Sequence, residues 1–144
     1  MDLGIRHFVY RHFVAEARPP TVDEIAREFN LARTEAEAAV ERLHQHHLLF
    51  LEPGTTDIRI ANPFSAIPTD YQVRVGPRAY WANCAWDMLG IPAALHTDAV
   101  IEAVYTDTRE WTTITISSGE LQPAAGVVHF PLPVRQWYDD LILT

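Results

Sequence analysis

The chain has 144 residues, 48% hydrophobic and 21% charged, which fits one folded domain or two small lobes and excludes an intrinsically disordered chain. Nineteen acidic residues against eleven arginines and no lysine give a net charge of −8, which argues against a polyanionic partner such as nucleic acid. One cysteine excludes an internal disulfide and a cysteine-rich zinc site. The short apolar runs and the lack of a leader pattern after Met1 set the expectation of a soluble, cytoplasmic protein that meets no membrane.

Residues 2–17 read as a first helix, with Leu3, Phe8, Phe13 and Val14 as a loose apolar stripe that Arg18-Pro19-Pro20 stops. Thr21-Val22-Asp23-Glu24 is a capping box opening a second helix to about Phe29. Thr34-Glu35-Ala36-Glu37 has the same form and opens a third, with Ala36, Ala39, Val40 and Leu43 as its buried face and an end near His47. Residues 48–52 and 57–61, joined by Pro53-Gly54-Thr55-Thr56, predict a two-stranded wing. Three helices and a wing describe a winged helix-turn-helix lobe over residues 1–61. Its ten acids outnumber its seven arginines, and the third helix sets Glu35, Glu37 and Glu41 against Arg42. A DNA reader presents a basic face to the groove, so this lobe is expected to be structural or to dock another surface. His44, His46 and His47 suit a helix C-terminus; a metal cluster is the sharper alternative, but no carboxylate or thiol partner stands near in sequence.

Residues 62–144 make the second lobe. Residues 62–69 predict an extended, Pro-bounded linker too apolar to hang in water, with Phe64 and Ile67 packed. Residues 71–75 alternate as a strand, and Gly76-Pro77 is expected to turn the chain into a central helix from Tyr80 that Gly90 and Pro92 end, with a short helical piece to Leu95. Strands over residues 100–105, 111–116 and 126–130 follow, and residues 137–144 begin a helix or strand. The fold class is α+β: a winged-helix-like lobe packed on a small mixed or antiparallel sheet that carries a central, Cys-bearing helix.

On that helix Cys84 and Asp87 stand three residues apart and share a face. Tyr80, Trp81, Trp86 and Phe64 are the candidate pocket walls around them. Two readings fit. A thiol beside a carboxyl in a partly dry aromatic setting can bind a soft metal or move a proton. A core cysteine with Asp87 as polar anchor is the commoner arrangement, and on this stretch alone it is preferred.

The segments NPFSAIPTDYQV, YWANCAWDMLGIP, VVHF and WYDDLILT, in this order, resemble the alkylmercury (organomercurial) lyase family. The resemblance runs from about Asp23 to the end. It implies a winged-helix-like lobe that does not bind DNA, fused to a small α+β core that cleaves carbon–mercury bonds by protonolysis without a cofactor. It also implies that Cys84 is the first mercury-binding cysteine and Asp87 the proton-handling aspartate. Mercury(II) is soft and prefers thiolates, and an acid at neutral pH needs a pKa raised by burial. The family's second cysteine is expected just beyond the segment matching residues 140–144, where this sequence has none; Tyr105 and Thr108 also fall where relatives often carry cysteine. Either the chain is short relative to its relatives or the scaffold serves another purpose; the expectation is a lyase-like enzyme on a small-molecule substrate, with an external thiol as a candidate partner. The alternatives are a relative acting on a non-mercury small molecule and a non-catalytic binder of organomercurials or soft metals through Cys84. A winged-helix transcription factor is disfavoured by the acidic surface.

Overall fold

The computed structural model describes residues 2–122, 126–133 and 136–137. Helix α1 (Asp2–Glu16) buries Ile5, Val9 and Phe13, one face at i, i+4, i+8. Helix α2 (Val22–Phe29) opens on the expected capping box: Thr21 Oγ1 accepts the Glu24 N–H at 3.2 Å, and the Glu24 carboxylate accepts the Thr21 N–H at 2.7 Å. Arg18 holds the same carboxylate through two bonds of 2.9 and 2.7 Å. Helix α3 (Arg33–Gln45) buries the expected Ala36, Ala39, Val40 and Leu43 but starts earlier than Thr34 suggests. Ala32 is its N-cap, and Glu35 reaches back to the Ala32 N–H at 2.7 Å, so only the N3 half of a capping box exists there.

After the helices come β1 (Phe50–Leu51), β2 (Ile58–Ala61), β3 (Phe64–Ser65), β4 (Tyr71–Val75), β5 (Arg78–Ala82), helix α4 (Ala85–Leu95), β6 (Ala99–Val104), β7 (Trp111–Ser117) and β8 (Glu120–Leu121). The described strands form one antiparallel sheet in the order β1-β2-β3-β5-β4-β6-β7-β8. The architecture is thus helices packed with an antiparallel sheet. Short β3 splices the β1–β2 hairpin to β5, so the sheet runs unbroken across residue 61.

Helix α1 lies against this sheet through specific contacts. Phe13 stacks on Phe64 at 5.2 Å, the Tyr80 hydroxyl donates to the Val14 carbonyl at 2.9 Å, and Arg78 Nε donates to the Ala15 carbonyl at 3.0 Å. No helix among the described residues is long and apolar enough to cross a membrane.

Besides the start of α3, further expectations need correction, and Leu3 of the expected α1 stripe is exposed. Tyr80 and Trp81 are in strand β5, because Gly76 at φ +56° closes a β4–β5 hairpin in which Val75 pairs with Arg78. The helix that follows runs through Gly90 and Pro92 to Leu95. Burial of Met88 and Ile91 sustains it across the one backbone bond that Pro92 cannot donate. In the linker, Phe64 is buried in β3 as expected, whereas Ile67 is 38% exposed. Finally, residues 126–130 form no strand, and β8 supplies the edge that pairs with β7. The closing segment expected from residue 137 lies, beyond Trp137, outside the described residues.

Candidate active site

Cys84 sits where β5 gives way to α4. The approach is fixed from both sides: Thr69 Oγ1 donates to the Ala82 carbonyl at 2.7 Å, and the Asn83 N–H donates to the Pro63 carbonyl at 3.2 Å. Gly90, nearly two turns further along α4, lies so close to Pro63 that an added Cβ would stand 3.3 Å from that ring. Cys84 is the N-cap of α4, with extended backbone (φ −145°, ψ 178°), and its carbonyl accepts the Met88 N–H at 3.1 Å. Asp87 is therefore the N3 residue. Cap-to-N3 spacing is the one at which a capping box brings two side chains face to face. Here the Cys84 thiol donates to Asp87 Oδ2 at 3.4 Å.

The environment sets both groups toward their protonated forms. Burial and then the neighbouring Asp87 charge push the Cys84 thiol up to about 11, against the pull of the Trp86 and Asp87 backbone N–H groups toward thiolate. Burial also raises Asp87 above the ordinary carboxylate range, opposed by hydrogen bonds from Cys84 and Asn83.

Cys84 opens onto a cleft of about 980 Å³. The sheet register supplies the floor: Tyr71, Ala103 and Thr112 lie side by side across β4, β6 and β7, with Ile114 two residues along β7 on the same face. Trp86 and Leu89 of α4 form one wall, and residues 126–131 cross the other side. Gly126, at φ +108°, passes so near Tyr105 that an added Cβ would fall 2.9 Å from its ring, so only glycine permits this closure.

Of the expected wall residues, Trp86 lines this cleft. Trp81 pairs with Gln72, one position out of register with the Val73–Tyr80 row, and so projects from the opposite face of the sheet. Phe64 and Tyr80 pack edge to face at 5.4 Å beneath α1 and stand outside the cleft lining. The sequence reading missed Tyr71, Tyr105, His129 and Phe130, which line the cleft from segments distant in sequence. Far from it, His44 and His47 flank the Phe50 ring at 5.9 and 6.1 Å.

The fold is helices packed with a sheet, and it brings a thiol and a carboxyl together at an aromatic-lined cleft. Residues 64–142, more than half of the chain, match the alkylmercury lyase family, and the chain belongs to that family. Among solved structures it is similar to the mercury-bound form of MerB2, with a TM-score of 0.69 and 23% identity over 85% of this chain and 58% of that one. The chain thus spans little more than half the length of that relative, and the likeness is one of fold. No curated protein matches the sequence.

Proposed function

We propose that this chain carries out the protonolysis of a carbon–mercury bond, with Cys84 taking the mercury and Asp87 moving the proton. The observation that carries the proposal is the 3.4 Å contact between Cys84 Sγ and Asp87 Oδ2 at the cleft. An organomercurial R–Hg–X presents mercury to Cys84. As the sulfur–mercury bond forms and X leaves as its anion, the thiol proton passes to the Asp87 carboxylate. This answers the thiol's resistance to ionising, since Asp87 acts as general base at the moment of coordination. Asp87, now neutral and favoured in that form by burial, returns the proton to the mercury-bound carbon. The electron pair of the carbon–mercury bond goes to carbon, R–H departs, and mercury(II) remains on Cys84 with Asp87 again a carboxylate.

Mercury(II) is stable as a dithiolate, and these 144 residues hold one cysteine. For these 144 residues acting alone, a second sulfur is supplied by an added thiolate, which adds electron density to mercury before protonation and carries the ion off afterwards. The N-terminal helices and the β1–β2 hairpin act as a winged-helix-like docking lobe. Its ten acids outnumber its seven arginines, and four of those arginines are ion-paired: Arg42 with Asp2 at 2.8 Å, Arg33 with Asp23 at 2.6 Å, Arg18 with Glu24 at 2.7 Å and Arg59 with Glu52 at 2.7 Å. Little positive charge is left for phosphates.

Variants test the roles. Asp87→Asn is expected to form the mercury adduct by intact mass yet release no hydrocarbon, and Cys84→Ser to lose both. Hydrocarbon release by Cys84→Ser at the wild-type rate would overturn the proposal. A second reading is a relative acting on a non-mercury small molecule; wild-type protein that forms no adduct at Cys84 would favour that reading, or a structural thiol, over mercury chemistry.

A further inference from the structure

We propose that the cleft selects uncharged arylmercurials over methylmercury and over aryl mercurials bearing a carboxylate. This rests on Cys84 as the mercury site and adds which organic group the site takes. The wall beside the thiol is aromatic and open. Trp86, two residues after Cys84, is 58% exposed; its ring lies 6.1 Å from that of Phe130, itself 41% exposed and stacked on Trp137 at 5.2 Å. Trp137 is anchored by its indole N–H donating to the Leu132 carbonyl at 2.9 Å. Tyr71 and Tyr105 face this wall across the cleft. A space of about 980 Å³ leaves a methyl group far from most of these rings, whereas a phenyl ring reaches them in edge or offset contact. Exposed aromatic surface gathered at a cleft is the kind that ligands cover.

Charge sets the second half of the selection. The described lining holds Asp107 and Glu110 and no arginine, and Arg109 on the same turn is paired with Asp70 at 2.8 Å. A carboxylate on the aryl ring therefore loses water without gaining a cation. His129 also lines the cleft, and all three ligands are compared at the same pH of 8.

The measurement is equilibrium exchange of mercury between glutathione and Cys84, read by intact mass, for phenylmercury, methylmercury and 4-carboxyphenylmercury. Glutathione as common reference cancels the intrinsic mercury–sulfur preferences. Phenylmercury is expected to favour the protein over methylmercury by roughly tenfold, and the para carboxylate to erase at least about tenfold of that affinity. Trp86→Ala, at an exposed position where truncation opens no core cavity, brings the phenyl-to-methyl ratio toward one, and Phe130→Ala does the same. Trp111→Ala, 70% exposed on β7 and outside the cleft lining, leaves the ratio unchanged. Equal exchange for phenyl and methyl, or for phenyl and its carboxylate, overturns the selection while leaving the mercury site standing. Absence of an adduct with all three overturns the mercury site, and the selection with it.

Discussion

At the residue scale the decisive fact is that Cys84 is both a helix cap and a half-buried thiol, two settings with opposite effects on its acidity. The N–H groups at the start of α4 favour thiolate, while burial and the Asp87 charge favour thiol, and the second pair prevails, with the thiol near 11. Alkylation of Cys84 by iodoacetamide is therefore expected to keep rising with pH toward about 11, beyond the ordinary thiol value of 9.0. In Asp87→Asn the negative neighbour is gone, and the profile moves to lower pH. A profile that levels near 9 in the wild type, or one that Asp87→Asn leaves in place, contradicts the coupling. The stability consequence has a definite sign. The folded thiol binds its proton more tightly than the unfolded one, so the contribution is complete below pH 9.0 and is lost as pH rises through about 11.

At the scale of elements, local chemistry fixes the boundaries that tertiary contacts leave alone. Thr21→Ala removes the Oγ1 acceptor that closes α2 and is expected to cost about 1 kcal/mol by chemical denaturation. Thr34→Ala, inside the first turn of α3, is expected to be near neutral, since helix α3 opens at Ala32. Glu24 adds a pH signature. The Arg18 clamp, with the Thr21 N–H, holds its carboxyl well below the usual range. Its contribution is thus present above the ordinary value of 4.5 and lost as pH falls beneath it, a loss that Glu24→Gln abolishes. The same contrast explains what the sequence made legible. Thr21 and Glu24 announce a cap by themselves, and the apolar spacing of α3 names its buried face. The start of α4 was hidden because Cys84 and Asp87 look alike whether they share a mid-helix face or form a cap and N3 pair. Only the Tyr80–Val73 pairing shows that the preceding residues are strand. Pro92 reads as a stop, but the buried side of α4 carries the helix past it. The aromatic wall was illegible for a different reason: Trp86 and Phe130 meet through the path of the chain across the cleft, and no spacing rule links them.

At the scale of the whole molecule, the continuous sheet and the contacts of α1 bind the N-terminal helices to the part that holds the site. All four tryptophans lie after residue 61, whereas three of the four described helices precede it. Tryptophan fluorescence and far-ultraviolet circular dichroism therefore report different ends of the chain, and their unfolding transitions are expected to coincide. Phe13→Ala, which empties the stack on Phe64, is expected to lower both together by about 3–5 kcal/mol. Separate transitions would show lobes that fold alone. With a net charge of −8, the molecule is also expected to leave duplex DNA unshifted in a gel at low salt.

The claim on which the account turns is that one protein sulfur and one carboxyl suffice when a second sulfur is supplied from solution. The direct measurement is benzene release from phenylmercury by this 144-residue chain, with and without added glutathione, alongside the intact mass of the protein. Without added thiol the account predicts one stoichiometric adduct at Cys84 and little or no benzene. With thiol it predicts repeated turnover that Asp87→Asn abolishes. Rapid multiple turnover in the absence of any added thiol would contradict it.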